Sequence, residues 1–168
     1  MIIVLMGVAG SGKTEIGRRL GARLNWPFYD GDDYHPPENV RKMALGQPLT
    51  DLDRWPWLAA LRSLIVTLEG KGESAVLACS ALKKAYRDIL RSAAEEMVFV
   101  HLKGDLDTLR SRLKAREKHF MKEDLLASQF EALEEPDYAL VVDIRQTPEE
   151  IVALITENYH AFTSGFNP

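Results

Sequence analysis

The chain has 168 residues, 46% of them hydrophobic, which is enough to bury one sizeable core and short for two, so a single domain over residues 1–168 is expected. A formal net charge of -4 and a pI of 5.6 leave no global basic field to attract nucleic acid or an anionic membrane surface. The lone cysteine, Cys79, excludes an intrachain disulfide; with no basic signal region and no apolar run near the roughly 20 residues a bilayer requires, a cytoplasmic protein is expected.

Ile2 to Met6 is a short apolar run rich in β-branched residues and reads as a buried strand. It passes directly into "GVAGSGKT", residues 7–14, which fits the pattern G-x-x-x-x-G-K-[ST] through Gly7, Gly12, Lys13 and Thr14, with Gly10 between. Glycines let the backbone turn its N–H groups inward, so Gly7, Val8, Ala9, Gly10, Ser11 and Gly12 form a cradle for phosphate oxygens, and the helix that follows presents its positive end to the same anion. Lys13 would reach the β- and γ-phosphates and the Thr14 hydroxyl would ligate Mg²⁺. Strand, loop and the helical "KTEIGRRLGARL" together point to a nucleoside triphosphate.

Pro27 to Asp30 reads as the second strand, followed by "YDGDDYH", where Asp30, Asp32 and Asp33 crowd around Gly31. Carboxylates at that edge suit two tasks of phosphoryl transfer: Asp30 as an outer-shell magnesium partner, and Asp32 as the acceptor of a hydrogen bond from the attacking hydroxyl. An acidic surface turn is the plainer use of the same residues. Helical segments start near Glu38 and Asp53, with Asp53 expected to cap the second and Trp57 expected in the core. Arg54 stands at a helix start where the dipole disfavours a cation, which suggests a task elsewhere.

The third strand, Ser74 to Cys79, ends in Cys79 and Ser80 where an NTPase often carries an aspartate, and the guanine-reading N-K-x-D pattern is absent. A helix from about Lys83 brings Ser80, Lys83 and Arg87 to the active edge as candidate substrate or phosphate contacts, Lys83 and Arg87 sharing one face; a solvated basic face would look the same. Met97 to Leu102 is the fourth strand. The helix from Asp105 then buries Leu106, Leu109 and Leu113 and presents Arg112 and Arg116 elsewhere, leading into a polar segment read as a lid around residues 116–124. Ala139 to Asp143 completes five strands, and "TPEE" opens the last helix with Thr147 as cap and Glu150 closing a capping box. The alternation predicts an α/β fold, a parallel sheet with helices on both faces and the site at the carboxyl edge of its strands.

The stretches "GVAGSGKT", "DGDDYHPPENVRKMALGQPLTDLDRWPWL", "CSALKKAYRDILR" and "HFMKEDLLASQFEALEEP" together resemble gluconate kinase, a small P-loop kinase of the shikimate-kinase and nucleoside-monophosphate-kinase-like group. Ala9 and Glu15 stand where that family often has Ser and Thr, neither a position that supplies the lysine or the metal ligand. The resemblance implies the three-layer P-loop fold with sheet order 2-3-1-4-5, ATP and Mg²⁺, phosphorylation of gluconate at its terminal hydroxyl, a homodimer, and a lid that carries Arg112 and Arg116 onto the phosphates. For such a substrate a carboxylate-gripping cation and short polar groups are needed; Arg54 is the first candidate for the grip, with Lys83 and Arg87 behind it, and His35, stiffened by Pro36 and Pro37, faces the pocket. A shikimate or nucleoside-monophosphate kinase shares the P-loop and the aspartates, and a non-catalytic ATP-binding module shares the P-loop.

Overall fold

The computed structural model describes residues 1–114 and 123–162. Strands β1 (Ile2–Met6), β2 (Phe28–Asp30), β3 (Ala75–Ala78), β4 (Met97–Lys103) and β5 (Leu140–Asp143) form one parallel sheet in the order β2-β3-β1-β4-β5. Between and after them lie α1 (Lys13–Leu24), α2 (Pro37–Ala44), α3 (Asp51–Gly70), α4 (Lys84–Arg91), α5 (Leu106–Lys114), α6 (Glu123–Ala132) and α7 (Pro148–Asn158). This is the sheet order implied by the resemblance. Among the described residues no helix is long and apolar enough to cross a membrane. Residues 116–122 of the expected lid, Arg116 among them, lie outside the described residues, and 123–124 open α6; the tail beyond residue 162 lies outside them too.

β1 runs through the middle of the sheet, which explains why its sequence is apolar without alternation. Ile2, Val4 and Met6 pack on one side with Trp57, Leu58, Leu61 and Ile65 of α3 and with Tyr86 and Leu90 of α4. Ile3 and Leu5 pack on the other with Ile16 and Leu20 of α1, Leu109 of α5 and Ile151 and Ile155 of α7. Each such side chain contributes about 1.5–3 kcal/mol by leaving water. The two layers fix the carboxyl ends of β1, β2 and β3 side by side, and the loops that leave those ends build the site.

Two glycines on α1 set the distance between that helix and β2. A Cβ at Gly17 would stand 2.2 Å from the Phe28 ring, and one at Gly21 would stand 2.9 Å from the Trp26 carbonyl oxygen. A side chain at either place would push β2 outward and draw Asp30 away from the start of α1.

The third helix starts two residues earlier than its sequence suggests. Thr50, not Asp53, is the N-cap of α3: the Thr50 hydroxyl accepts from the Asp53 amide, and the Asp53 carboxylate returns the bond to the Thr50 amide at 2.7 Å. Asp53 is thus the third helical residue of a capping box, a position where an acid also suits the dipole. α7 opens as "TPEE" suggests, with Thr147 as cap and Glu150 as its reciprocal partner.

Candidate active site

In the loop after β1 the amides of Gly7, Ala9 and Ser11 bond to the Ser80 carbonyl, Gln129 Oε1 and the Val8 carbonyl, so the expected cradle narrows to the amides of Val8, Gly10 and Gly12. Gly10 and Gly12 adopt φ of 79° and 94°, in the left-handed region, and Gly12 caps α1 without any side-chain bond to the first-turn amides. The Ser11 hydroxyl is buried and has no hydrogen-bond partner among the described residues. A buried orphan of this kind costs about 1–3 kcal/mol, a penalty that a phosphate oxygen in the loop relieves. Lys13 donates to the carbonyls of Gly7 at 2.9 Å and Val8 at 3.1 Å, so its ammonium lies across the loop mouth. Burial lowers the Lys13 pKa, and the negative charges of Asp32 and Asp30 act against that shift.

The end of β2 meets this loop. Thr14 donates its hydroxyl to Asp30 Oδ2 at 2.7 Å, while Asp30 Oδ1 accepts the Asp32 amide at 3.2 Å and so caps a 3-10 turn over Gly31–Tyr34. Trp57 secures the turn from below by donating its indole N–H to the Gly31 carbonyl at 2.7 Å. Cys79, at the end of β3, is buried, and burial pushes its thiol up to about 12, so it stands there as a neutral group. The carboxylates beside the loop come from the end of β2. Among the described residues no group of three or more His, Cys, Asp or Glu forms a metal cage. Thr14 and Asp30 fit the other way of holding a small divalent cation, one hydroxyl and one carboxylate completed by phosphate oxygens and water.

Lys13, Asp32, His35, Arg54, Trp57 and Ser80 line a single cleft beside the loop. His35 stacks on Trp57 with ring centroids 4.4 Å apart and planes 12° from parallel. Its tautomer follows from a chain of donors. The Asp53 carbonyl can only accept, so the Asn39 amide must turn its NH₂ toward it, at 2.7 Å. The same nitrogen lies 3.2 Å from His35 Nδ1, which therefore accepts, leaving the proton on Nε2. Burial, reinforced by the charge of Arg54, lowers the His35 pKa to about 4, so the ring is neutral at physiological pH.

A pH dependence of stability follows. The unfolded chain takes up a proton at His35 near pH 6.5, and the folded chain refuses it until about pH 4. The residue is therefore neutral to stability above that window and destabilising as pH falls through it, with no further loss below. His35→Gln is expected to flatten this part of the curve, read as urea midpoints at pH 7.5 and pH 5; equal losses in both proteins contradict it.

The three cations proposed for a substrate carboxylate separate clearly. Lys83 caps the start of α4 and donates to both Asp51 oxygens at 2.8 and 2.9 Å. Arg87 is 2% exposed and donates to the carbonyls of Ala81 and Leu82, both at 2.9 Å, and to the Tyr138 hydroxyl at 2.8 Å. Its expected place in the substrate site is corrected to a brace of the β3–α4 loop, where Ala81 holds a φ of 44° and the Ser80 carbonyl accepts the Gly7 amide at 3.3 Å. Arg54 lines the cleft, lies 4.0 Å from Asp51 and reaches the Tyr86 hydroxyl only at 3.5 Å. Its guanidinium is the least committed of the three. Arg112 donates to the Ile144 carbonyl just beyond the end of β5 and is not among the described residues that line this cleft.

The shikimate kinase family model matches residues 9–159 of the chain. The thermoresistant gluconokinase of Escherichia coli K12 is 47% identical over 160 residues, covering 93% of this chain and 91% of that protein. The crystal structure of a gluconokinase from Sinorhizobium meliloti 1021 superposes with a TM-score of 0.88 at 43% identity, over 96% of this chain and 92% of that one. The chain belongs to the gluconokinases of the shikimate kinase family. A shikimate kinase from Aquifex aeolicus, at 19% identity and a TM-score of 0.64, shares the fold alone. As an enzyme of this kinase family, the chain works on ATP with a divalent metal.

Two residues of this gluconokinase site escape a reading of the sequence. Asn39 is buried in α2 and fixes the His35 ring, yet an Asn three residues into a helical segment carries no signal of that duty. Gln129 of α6 reaches the phosphate loop across 120 residues of sequence, where its Oε1 accepts the Ala9 amide at 2.7 Å. The serine before it, Ser128, sits one turn from Leu125, and all three side chains line the cleft, a helix face that only the tertiary fold assigns to the site.

Proposed function

We propose that the chain transfers the γ-phosphoryl group of ATP to the terminal hydroxyl of D-gluconate, giving 6-phospho-D-gluconate. The observation that carries this reading is one cleft holding three chemistries: the Lys13 ammonium of the phosphate loop, the Asp32 carboxylate, and the Arg54 guanidinium beyond them. Lys13 stabilises charge on the β- and γ-phosphates, and Asp32 accepts the hydrogen bond of the attacking hydroxyl and orients it in line. Thr14 would ligate Mg²⁺ with Asp30 as its outer-shell partner, and the ion would supply positive charge to the phosphates. His35, neutral with its proton on Nε2, donates to a substrate hydroxyl, and Ser80 adds a second small polar contact. Arg112, and Arg116 outside the described residues, belong to the phosphate side of the proposal. Action in the cytoplasm and assembly as a homodimer are parts of the same proposal, the first supported by the buried free thiol of Cys79 and the second by the resemblance.

Arg54 is proposed to grip the gluconate carboxylate. A charged contact of this kind is worth about 1.5–3 kcal/mol, so Arg54→Ala is expected to lower kcat/KM for gluconate about 10- to 150-fold with KM for ATP unchanged. Sorbitol, which has the hydroxyls without the carboxylate, should lose nothing, and Arg54→Lys should recover only part of the loss because an ammonium cannot make a two-pronged bond. A rise in KM for ATP with gluconate use intact would move Arg54 to the phosphate site. The position of transfer is tested by phosphorus-coupled carbon NMR of the product: coupling should appear at the terminal carbon over two bonds and at its neighbour over three, and coupling at any other carbon contradicts the proposal.

A further inference from the structure

The phosphate loop is tied to α6 by one side chain, and its chemistry is directional. A backbone N–H can only donate, so the bond from Ala9 fixes the oxygen end of the Gln129 carboxamide on the loop. The nitrogen end then points away from the loop, and Gln129 lines the cleft together with Lys13, Asp32 and Arg54. Its Nε2 makes no hydrogen bond to any of the described residues. Two N–H donors are thereby held, pre-oriented, in the cleft that Lys13 and Asp32 share. Ala9 itself lines the same cleft as Lys13 and Asp32, the two groups between which a phosphoryl group passes to reach a substrate hydroxyl.

We infer that Gln129 is a catalytic residue whose Nε2 donates to an oxygen of the phosphoryl group in transit between the nucleotide and the acceptor. The proposal rests on the phosphoryl-transfer reading above but not on gluconate being the acceptor. The Ala9 bond serves as the anchor: it fixes which end of the amide faces the cleft and removes the entropy of orienting it during the reaction. The donors meet charge that develops in the transition state, so their loss acts on kcat and leaves the affinity for ATP and for acceptor close to unchanged.

The test compares Gln129→Met, which removes donor and acceptor at similar volume, with Gln129→Glu, which keeps an acceptor for the Ala9 amide and removes the donors. Both variants are measured in the full chain for gluconate-dependent ADP release, for the slow hydrolysis of ATP without gluconate, and for ATP binding by calorimetry. Each variant is expected to lose about 10- to 150-fold in kcat, the scale of a hydrogen bond to a charged group, and in ATP hydrolysis by a similar factor. In Gln129→Met the Kd for ATP and both KM values should stay within about threefold. A merely structural tie predicts the opposite pattern, near-normal kcat in Gln129→Glu and weakened ATP binding in Gln129→Met; either result overturns the proposal. The hydrolysis arm keeps the two readings distinguishable: a loss there supports the role of Gln129 whatever the acceptor proves to be, and unchanged hydrolysis in both variants overturns it.

Discussion

Lys13→Ala is expected to reduce turnover by about 10³-fold or more, the scale on which removal of a preorganised charge partner acts on a transition state. The fold should survive. Among the described residues Lys13 donates only to the carbonyls of Gly7 and Val8, within its own loop, and its burial opposes the charge it carries. Deleting a cation in that position removes a desolvation penalty along with two hydrogen bonds, so the two effects on stability act in opposite directions. Far-UV dichroism and Tm should remain close to those of the unsubstituted protein while ADP release disappears. Retained turnover with a normal fold contradicts the assignment of the loop.

Asp32→Asn keeps the shape of the side chain and removes the acceptor charge, and is expected to lower kcat by about 10²- to 10⁴-fold, the range of general acid–base effects. The Kd for ATP should hardly change. Asp30 is the internal control, because its carboxylate is engaged by the Thr14 hydroxyl and by the Asp32 amide. Asp30→Asn should weaken the dependence on Mg²⁺ and loosen the turn that carries Asp32. If Asp32→Asn were nearly silent and Asp30→Asn the more damaging for turnover, the division of roles between the two carboxylates would be reversed.

These residues also show what a sequence can reveal. β1 and its loop were legible because the signal is local: an apolar run, then glycines whose backbone freedom the turn demands, then Lys13 and Thr14 at fixed spacing. Aspartates at the end of β2 were legible once the β-α alternation put every strand end on one edge. The start of α3 was misplaced because Asp53 and Thr50 are both good caps, and only the reciprocal bonds between them decide which residue plays which part. Arg87 was misplaced for a different reason. A cation one turn beyond Lys83 looks solvated in sequence, whereas the strained backbone at Ala81 and the neighbouring Leu82 carbonyl provide buried acceptors that only the folded chain brings to it. Asn39 and Gln129 left no trace because a neutral amide is common in helices and its duty here depends on the partner it meets.

Selectivity among acceptors is the most direct test of the central claim that this cleft phosphorylates gluconate. ADP release, coupled to a chromogenic reaction, is measured with ATP and Mg²⁺ against gluconate, shikimate and the nucleoside monophosphates, each over the same concentration range. Gluconate should drive turnover with a kcat/KM at least about 10²-fold above any of the others, since only it matches a carboxylate grip at Arg54 to a terminal hydroxyl at Asp32. Equal or faster ADP release with shikimate or a nucleoside monophosphate, or tight ATP binding with no release for any acceptor, would contradict the account.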